Sequence, residues 1–187
     1  MTEERTGEAF EQGEQLTIIG RRLQTGEKAP EFLLDHFDGE QVRSVRLADS
    51  TGQVRLINTV NSLDTPVCDI ETRHWDGLGA DLPEGVVLYT VSMDLPFAQD
   101  RWRTATSTGH DLLTAHKNEG FGRDYGVLIK EWRLLQRAVF VIDPEGTLAH
   151  AEYVSDQMAQ PDYQAASDAA RAARTSPLPV RPMGGFR

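Results

Sequence analysis

The sequence predicts an α/β fold, a mixed sheet flanked by helices, and three observations carry that reading. Two β-branched, apolar runs, QVRLINTV (residues 53–60) and VVLYTVS (residues 86–92), have strand length and little alternation, as strands covered on both faces do. Between them DTPVCDIETR has the grammar of a helix start: Asp64 or Thr65 as cap, Pro66 in the first turn, acids at Asp69 and Glu71. Strand, helix, strand in this order implies a parallel crossover. Further on, RAVFVID (residues 137–143) and residues 147–154 flank the tight turn Pro144-Glu145-Gly146 and should pair antiparallel.

In chain order, residues 1–13 are acidic, lack apolar periodicity and read as a mobile tail. Residues 14–174 read as one domain. QLTIIGRRLQTGEKAPEF, with Gly20 and Gly26, reads as an N-terminal β-hairpin leading into Lys28-Ala29-Pro30. Residues 42–47 form a short strand before a turn at 49–52. After the strands and helix already described, Asp94 and Pro96 start a second helix. Residues 111–115 suit a short strand and 118–125 a helical turn or two ending at Gly126. The alanine-rich stretch 162–174 closes the domain as a helix. TSPLPVRPMGGFR (residues 175–187), with three prolines and two glycines, reads as a disordered tail. One mixed sheet closed by a hairpin and a helix suggests a thioredoxin-like arrangement.

The 187 residues suffice for one well-packed domain. A formal charge of −10, from 29 acids against 19 bases, argues against nucleic acid and anionic membranes as partners. No apolar run approaches a membrane span, and the acidic start is neither a signal nor a transit peptide, so a cytoplasmic setting is expected. One cysteine makes no internal disulfide, and no Cys/His cluster offers a metal site; neither a metal nor another cofactor is expected.

That cysteine, Cys68, follows a strand and opens a helix. A lone free cysteine is most often a small buried core residue. Here the unpaired N–H groups and positive dipole of the helix start favour thiolate over thiol, which makes the sulfur a nucleophile.

KAPEF (residues 28–32), SLDTPVCDIETR (62–73), SMDLPFAQDRW (92–102), YGV (125–127), RAVFVID (137–143) and QPDYQAA (160–166) resemble the thiol peroxidases, a subfamily of the peroxiredoxins. The resemblance covers roughly residues 15–173. It implies a thioredoxin-like fold with an N-terminal hairpin, a homodimer, and reduction of hydrogen peroxide and organic hydroperoxides by a peroxidatic cysteine. Carried onto this chain, the cysteine is Cys68, the motif threonine Thr65 and the active-site arginine Arg137.

The chemistry explains the grouping. A thiolate attacks one peroxide oxygen and expels alkoxide or hydroxide, leaving a sulfenic acid. Negative charge moves from sulfur to oxygen, and the Arg137 guanidinium is suited to hold it in both places. The Thr65 hydroxyl is suited to bond the sulfur or the peroxide, and the N–H groups near Val67 and Cys68 add fixed dipoles. Two departures stand out. Asn61 replaces a proline seven residues before the cysteine, placing Asn61 and Val67 as candidate substrate-binding positions. Arg103 stands where these enzymes usually carry a resolving cysteine. The expected cycle therefore uses one cysteine and an external thiol, either a thioredoxin-type protein or a low-molecular-weight thiol. Two other readings are a redox sensor or adaptor with little turnover, and a catalytically silent dimer.

Overall fold

The structure, a computed structural model, describes residues 3–175. The main sheet has seven strands in the order β10-β9-β5-β6-β7-β3-β4. These are β3 (Leu33–Phe37), β4 (Val42–Arg46), β5 (Val54–Thr59), β6 (Val86–Ser92), β7 (Asp111–Thr114), β9 (Ala138–Ile142) and β10 (Leu148–Tyr153). β5 pairs parallel with β6, and β6 with β7; β9 returns antiparallel to β5 and to β10. The expected crossover and hairpin are both present, and the fold is thioredoxin-like. β3 was not foreseen. Its pairing with β4 depends on a turn at residues 38–41, where the Asp38 carboxylate accepts the N–H groups of Glu40 and Gln41 at 2.9 and 2.8 Å.

Every residue of β5 is buried, because both faces of the sheet are covered. Leu56 faces a cluster with Trp75 of helix α1 (Pro66–Gly79) and Ala166, Ala170 and Ala173 of helix α4 (Tyr163–Thr175). Those alanines recur at helical spacing, which explains the sequence signal for α4. The next residue, Ile57, faces the opposite cluster with Leu113, Tyr125 and Phe140. Helix α2 (Pro96–Thr106) follows β6, and the short α3 (Gly120–Asp124) follows β7.

The amino terminus corrects the sequence reading. The expected mobile tail over residues 1–13 is ordered from Glu4 onward: strand β1 (Glu4–Glu11) pairs with β2 (Glu14–Ile19), and β2 continues to the two-residue β8 (Leu128–Ile129). The hairpin therefore lies one strand earlier than Gly20 and Gly26 suggested. It turns at Gln12-Gly13, both at positive φ (49° and 86°), the conformation that matches the twist of a two-residue hairpin. Acidic composition hid the strand because its anchors are few and scattered. Ala9 is buried with Leu16, Ile18 and Ile129, and Arg5 is buried with its guanidinium on the carbonyls of Gly20 and Gly126. Gly20 marks where the hairpin meets the body, since a Cβ there would lie 2.0 Å from the Arg123 carbonyl oxygen. At the other end, the expected disordered tail lies outside the described residues beyond Thr175. No helix among the described residues is long and apolar enough to cross a membrane.

Helix α1 is secured near its C-terminal end by Asp76. Its carboxylate accepts the backbone N–H of Gly109 (2.8 Å) and meets His110 Nδ1 at 3.0 Å, while His110 Nε2 faces the Thr90 hydroxyl at 2.9 Å. Burial pushes the His110 imidazole below its ordinary range, against the pull of Asp76.

Candidate active site

The site forms where β5 runs into α1. Its turn is held from below by Asp94, which accepts the Ser62 hydroxyl (2.7 Å), the Leu63 N–H (2.9 Å) and the Ser92 hydroxyl (2.8 Å). Asp94 does not cap α2 as its sequence position suggested; Leu95 occupies the cap position. The carboxylate joins the ends of two parallel strands instead, two residues before the helix.

Thr65 is the cap residue of α1, but its hydroxyl donates back to the Ser62 carbonyl at 2.8 Å, closing the turn. Pro66 and Val67 form the first helical positions and Cys68 the third. Cys68 is fully buried against Val60, Leu63, Trp102 and Leu112. The Trp102 indole N–H donates to Asp69 at 2.9 Å, which fixes the ring over the helix start.

Arg137, at the residue before β9, reaches this sulfur: its Nη2 lies 3.4 Å from Cys68 Sγ and donates to the Gln157 carbonyl at 2.9 Å. Its Nη1 is ion-paired with Glu71, and neither side chain has any exposed surface. Glu71 sits one helical turn after Cys68, so one helix presents both the sulfur and the arginine's counter-charge. A buried arginine without such a partner would be strongly destabilising.

Gln157 is the residue that sequence reasoning missed most completely. Its Oε1 accepts the backbone N–H of Arg137 at 2.9 Å and an N–H of the Asn61 side chain at 3.3 Å; its Nε2 donates to the Val154 carbonyl at 2.9 Å. Asn61 also donates to the Leu135 carbonyl at 2.6 Å. Asparagine in place of proline thus ties the turn before Cys68 to the segment that leads through Arg137 into β9. Behind Val67, its carbonyl accepts an N–H from Gln160 at 3.2 Å, and Gln160 in turn accepts the Tyr163 hydroxyl. Burial pushes the Tyr163 phenol up to about 12, so it serves as a donor at neutral pH.

A cavity of about 350 Å³ opens beside this constellation, lined by Asn61, Thr65, Val67, Trp132, Arg137 and Gln157, with the tip of the β1–β2 hairpin as its outer wall. The sulfur lies behind the Thr65–Val67 turn, next to the arginine. Of the three tryptophans only Trp132 lines this cavity; Trp75 belongs to the core and Trp102 covers the sulfur. Arg103 pairs with Asp100 on its own helix (3.0 Å), beside His36 and Phe37, so the residue at the expected resolving position does not reach Cys68.

A strand-to-helix turn presenting a buried cysteine to a buried arginine, on a thioredoxin-like sheet, defines a peroxiredoxin-type site. Residues 25–151 match the AhpC/TSA family, and the chain belongs to that family. Within it, the similar curated proteins are thiol peroxidases. The one from Halalkalibacterium halodurans is 46% identical over 162 residues, covering 86% of this chain and 95% of that protein. The one from Bacillus subtilis is 40% identical over 161 residues, covering 86% and 94%. Among solved structures, a peroxiredoxin-like protein from Aquifex aeolicus superposes with a TM-score of 0.79 at 31% identity, covering 90% of this chain and 98% of that one.

Proposed function

We propose that this peroxidase reduces hydroperoxides through Cys68 alone. The observation that carries the reading is the buried Arg137, which lines a cavity large enough for a peroxide and places its Nη2 3.4 Å from the buried Cys68 Sγ. The thiolate attacks the terminal peroxide oxygen, the O–O bond breaks, and the departing alkoxide or hydroxide takes a proton from solvent. Arg137 holds charge on the sulfur before the step and on the departing oxygen during it. Asn61 and Val67, on the cavity wall, orient the substrate. Thr65 shapes the turn and has its hydroxyl oxygen close to the entry path.

The single cysteine leaves a sulfenic acid that an outside thiol must reduce: thiolate attack releases water and gives a mixed disulfide, and a second thiol restores Cys68. Full burial of the sulfur favours a low-molecular-weight thiol over a protein reductant, because a small thiol enters through the cavity. The family reading adds a homodimer working in the cytoplasm. The test is intact-mass analysis after one equivalent of peroxide, which should add one oxygen to wild type and none to Cys68→Ser, followed by sustained turnover with a small thiol. Peroxide consumption by Cys68→Ser would end the reading; oxidation without turnover under any thiol would favour the sensor.

A further inference from the structure

The cavity has one charged wall that the catalytic chemistry does not use. Among its lining residues only Arg137 and Glu11 are charged, and the Arg137 charge is offset by Glu71 inside the protein. Glu11 is half-buried at the outer wall, and its carboxylate has no ion-pair or hydrogen-bond partner among the described residues. Directly across the hairpin stands Glu14, a second acid at the same tip.

This wall is fixed in place. Phe10, the residue before Glu11, donates its N–H to the Ser155 carbonyl and accepts the Gln157 N–H, both at 2.8 Å. The same Gln157 holds Arg137. On the hairpin's other edge, β2 pairs with β8, and Lys130 N–H donates to the Thr17 carbonyl at 2.8 Å. Glu11 is therefore carried on backbone that is bonded on both sides, and it faces the cavity where the non-reacting part of an organic hydroperoxide would lie. Apart from the neutral Gln12 at the same tip, the lining around it, Trp132, Leu134, Pro66 and Met158, is apolar.

We infer that Glu11 is a specificity-determining residue that disfavours carboxylate-bearing hydroperoxides and so favours neutral, apolar ones as the organic substrates; this rests on the peroxidase reading above. An anionic substrate meets Glu11 at the mouth and finds no uncompensated cation within. The expected penalty is about fivefold in the rate of Cys68 oxidation, the scale of a like-charge contact in a largely aqueous setting.

The test compares cumyl hydroperoxide carrying a para-carboxylate with its methyl ester, two probes of nearly equal shape. Single-turnover oxidation of Cys68 is followed by intact mass, so no reductant enters. Wild type should oxidise with the ester about fivefold faster than with the acid, a gap that should narrow at high salt. Glu11→Gln should bring the ester-to-acid ratio near one, and Glu11→Lys should invert it. A ratio near one in wild type, or a ratio that both substitutions leave unchanged, would overturn the inference while rapid oxidation by hydrogen peroxide keeps the peroxidase reading intact. Failure of Cys68 to react with any hydroperoxide would overturn both.

Discussion

Replacing Gln157 with leucine separates what holds Arg137 from what makes it charged. The change removes three buried hydrogen bonds but keeps the side chain's bulk. Asn61 retains the Leu135 carbonyl, and the Val154 carbonyl retains an N–H from Gln136 at 3.1 Å, so these two bonds are weakened networks rather than orphans. The Arg137 backbone N–H is left with no partner in the interior. One orphaned donor costs about 1–3 kcal/mol and two partly compensated bonds somewhat less each, giving a loss of about 2–4 kcal/mol. Against a typical stability of about 5–15 kcal/mol the variant folds, with its melting temperature lowered by roughly 5–15 °C. Urea denaturation supplies the first number. The second comes from stopped-flow oxidation of Cys68, which should slow about tenfold: the guanidinium keeps the Gln157 main-chain carbonyl and Glu71, but the unbonded Arg137 backbone shifts and carries it away from the departing oxygen. Alkylation by iodoacetamide, which expels iodide and needs no such donor, should slow less than about threefold, since only the effect on the thiolate remains. A loss below about 1 kcal/mol, or equal slowing of both reactions, would refute the assignment of Gln157 as the residue that positions Arg137.

Two other outcomes follow from buried charge and titration. Arg137→Ala leaves the Glu71 carboxylate buried without its partner and should cost about 3–5 kcal/mol together with a hundredfold or greater slowing of peroxide reduction. Arg137→Lys restores the counter-charge but not the planar fork, so calorimetry should show partial recovery of stability while stopped-flow rates stay well below wild type; near-wild-type rates in both variants would remove Arg137 from the site. His110 has its folded pKa below its unfolded value, so the unfolded chain takes up the proton first as pH falls. Its contribution is complete above roughly pH 6.5 and is lost below that, with a slope of at most about 1.4 kcal/mol per pH unit. Denaturation at pH 7.5 and 5.5 should show a stability decrease that His110→Asn reduces; an unchanged pH dependence would place the proton elsewhere.

The parts of this fold legible in the sequence are those written in local pattern. β5, β6 and β9 are runs of mainly apolar residues, β10 follows β9 across a tight turn, and α1 and α2 each announce themselves with a proline in the first turn. Cys68 and Arg137 were reached through helix-start chemistry and family motifs, and the structure brings them together. What stayed hidden was relational. β1 looks polar because one face needs only Arg5 and Ala9 buried. Asp94 sits where a cap belongs, yet its acceptors serve a turn some thirty residues earlier. Gln157, Glu71 and Glu11 have ordinary local contexts, and their meaning comes from which distant backbone lies beside them. The Thr65 hydroxyl, read as a ligand for sulfur or peroxide, spends its hydrogen on Ser62.

The cavity wall built from the first strand and from residues 155–157 bears on how the protein is made. Synthesis delivers Cys68 first, and Arg137, Gln157 and the edge that grips Phe10 follow it out of the ribosome about seventy to ninety residues later. Until then the amino-terminal hairpin has no edge to dock on, and the nascent cysteine has neither its guanidinium nor its enclosing pocket. The surroundings of the sulfur are thus complete only once the amino-terminal hairpin docks on residues 155–157.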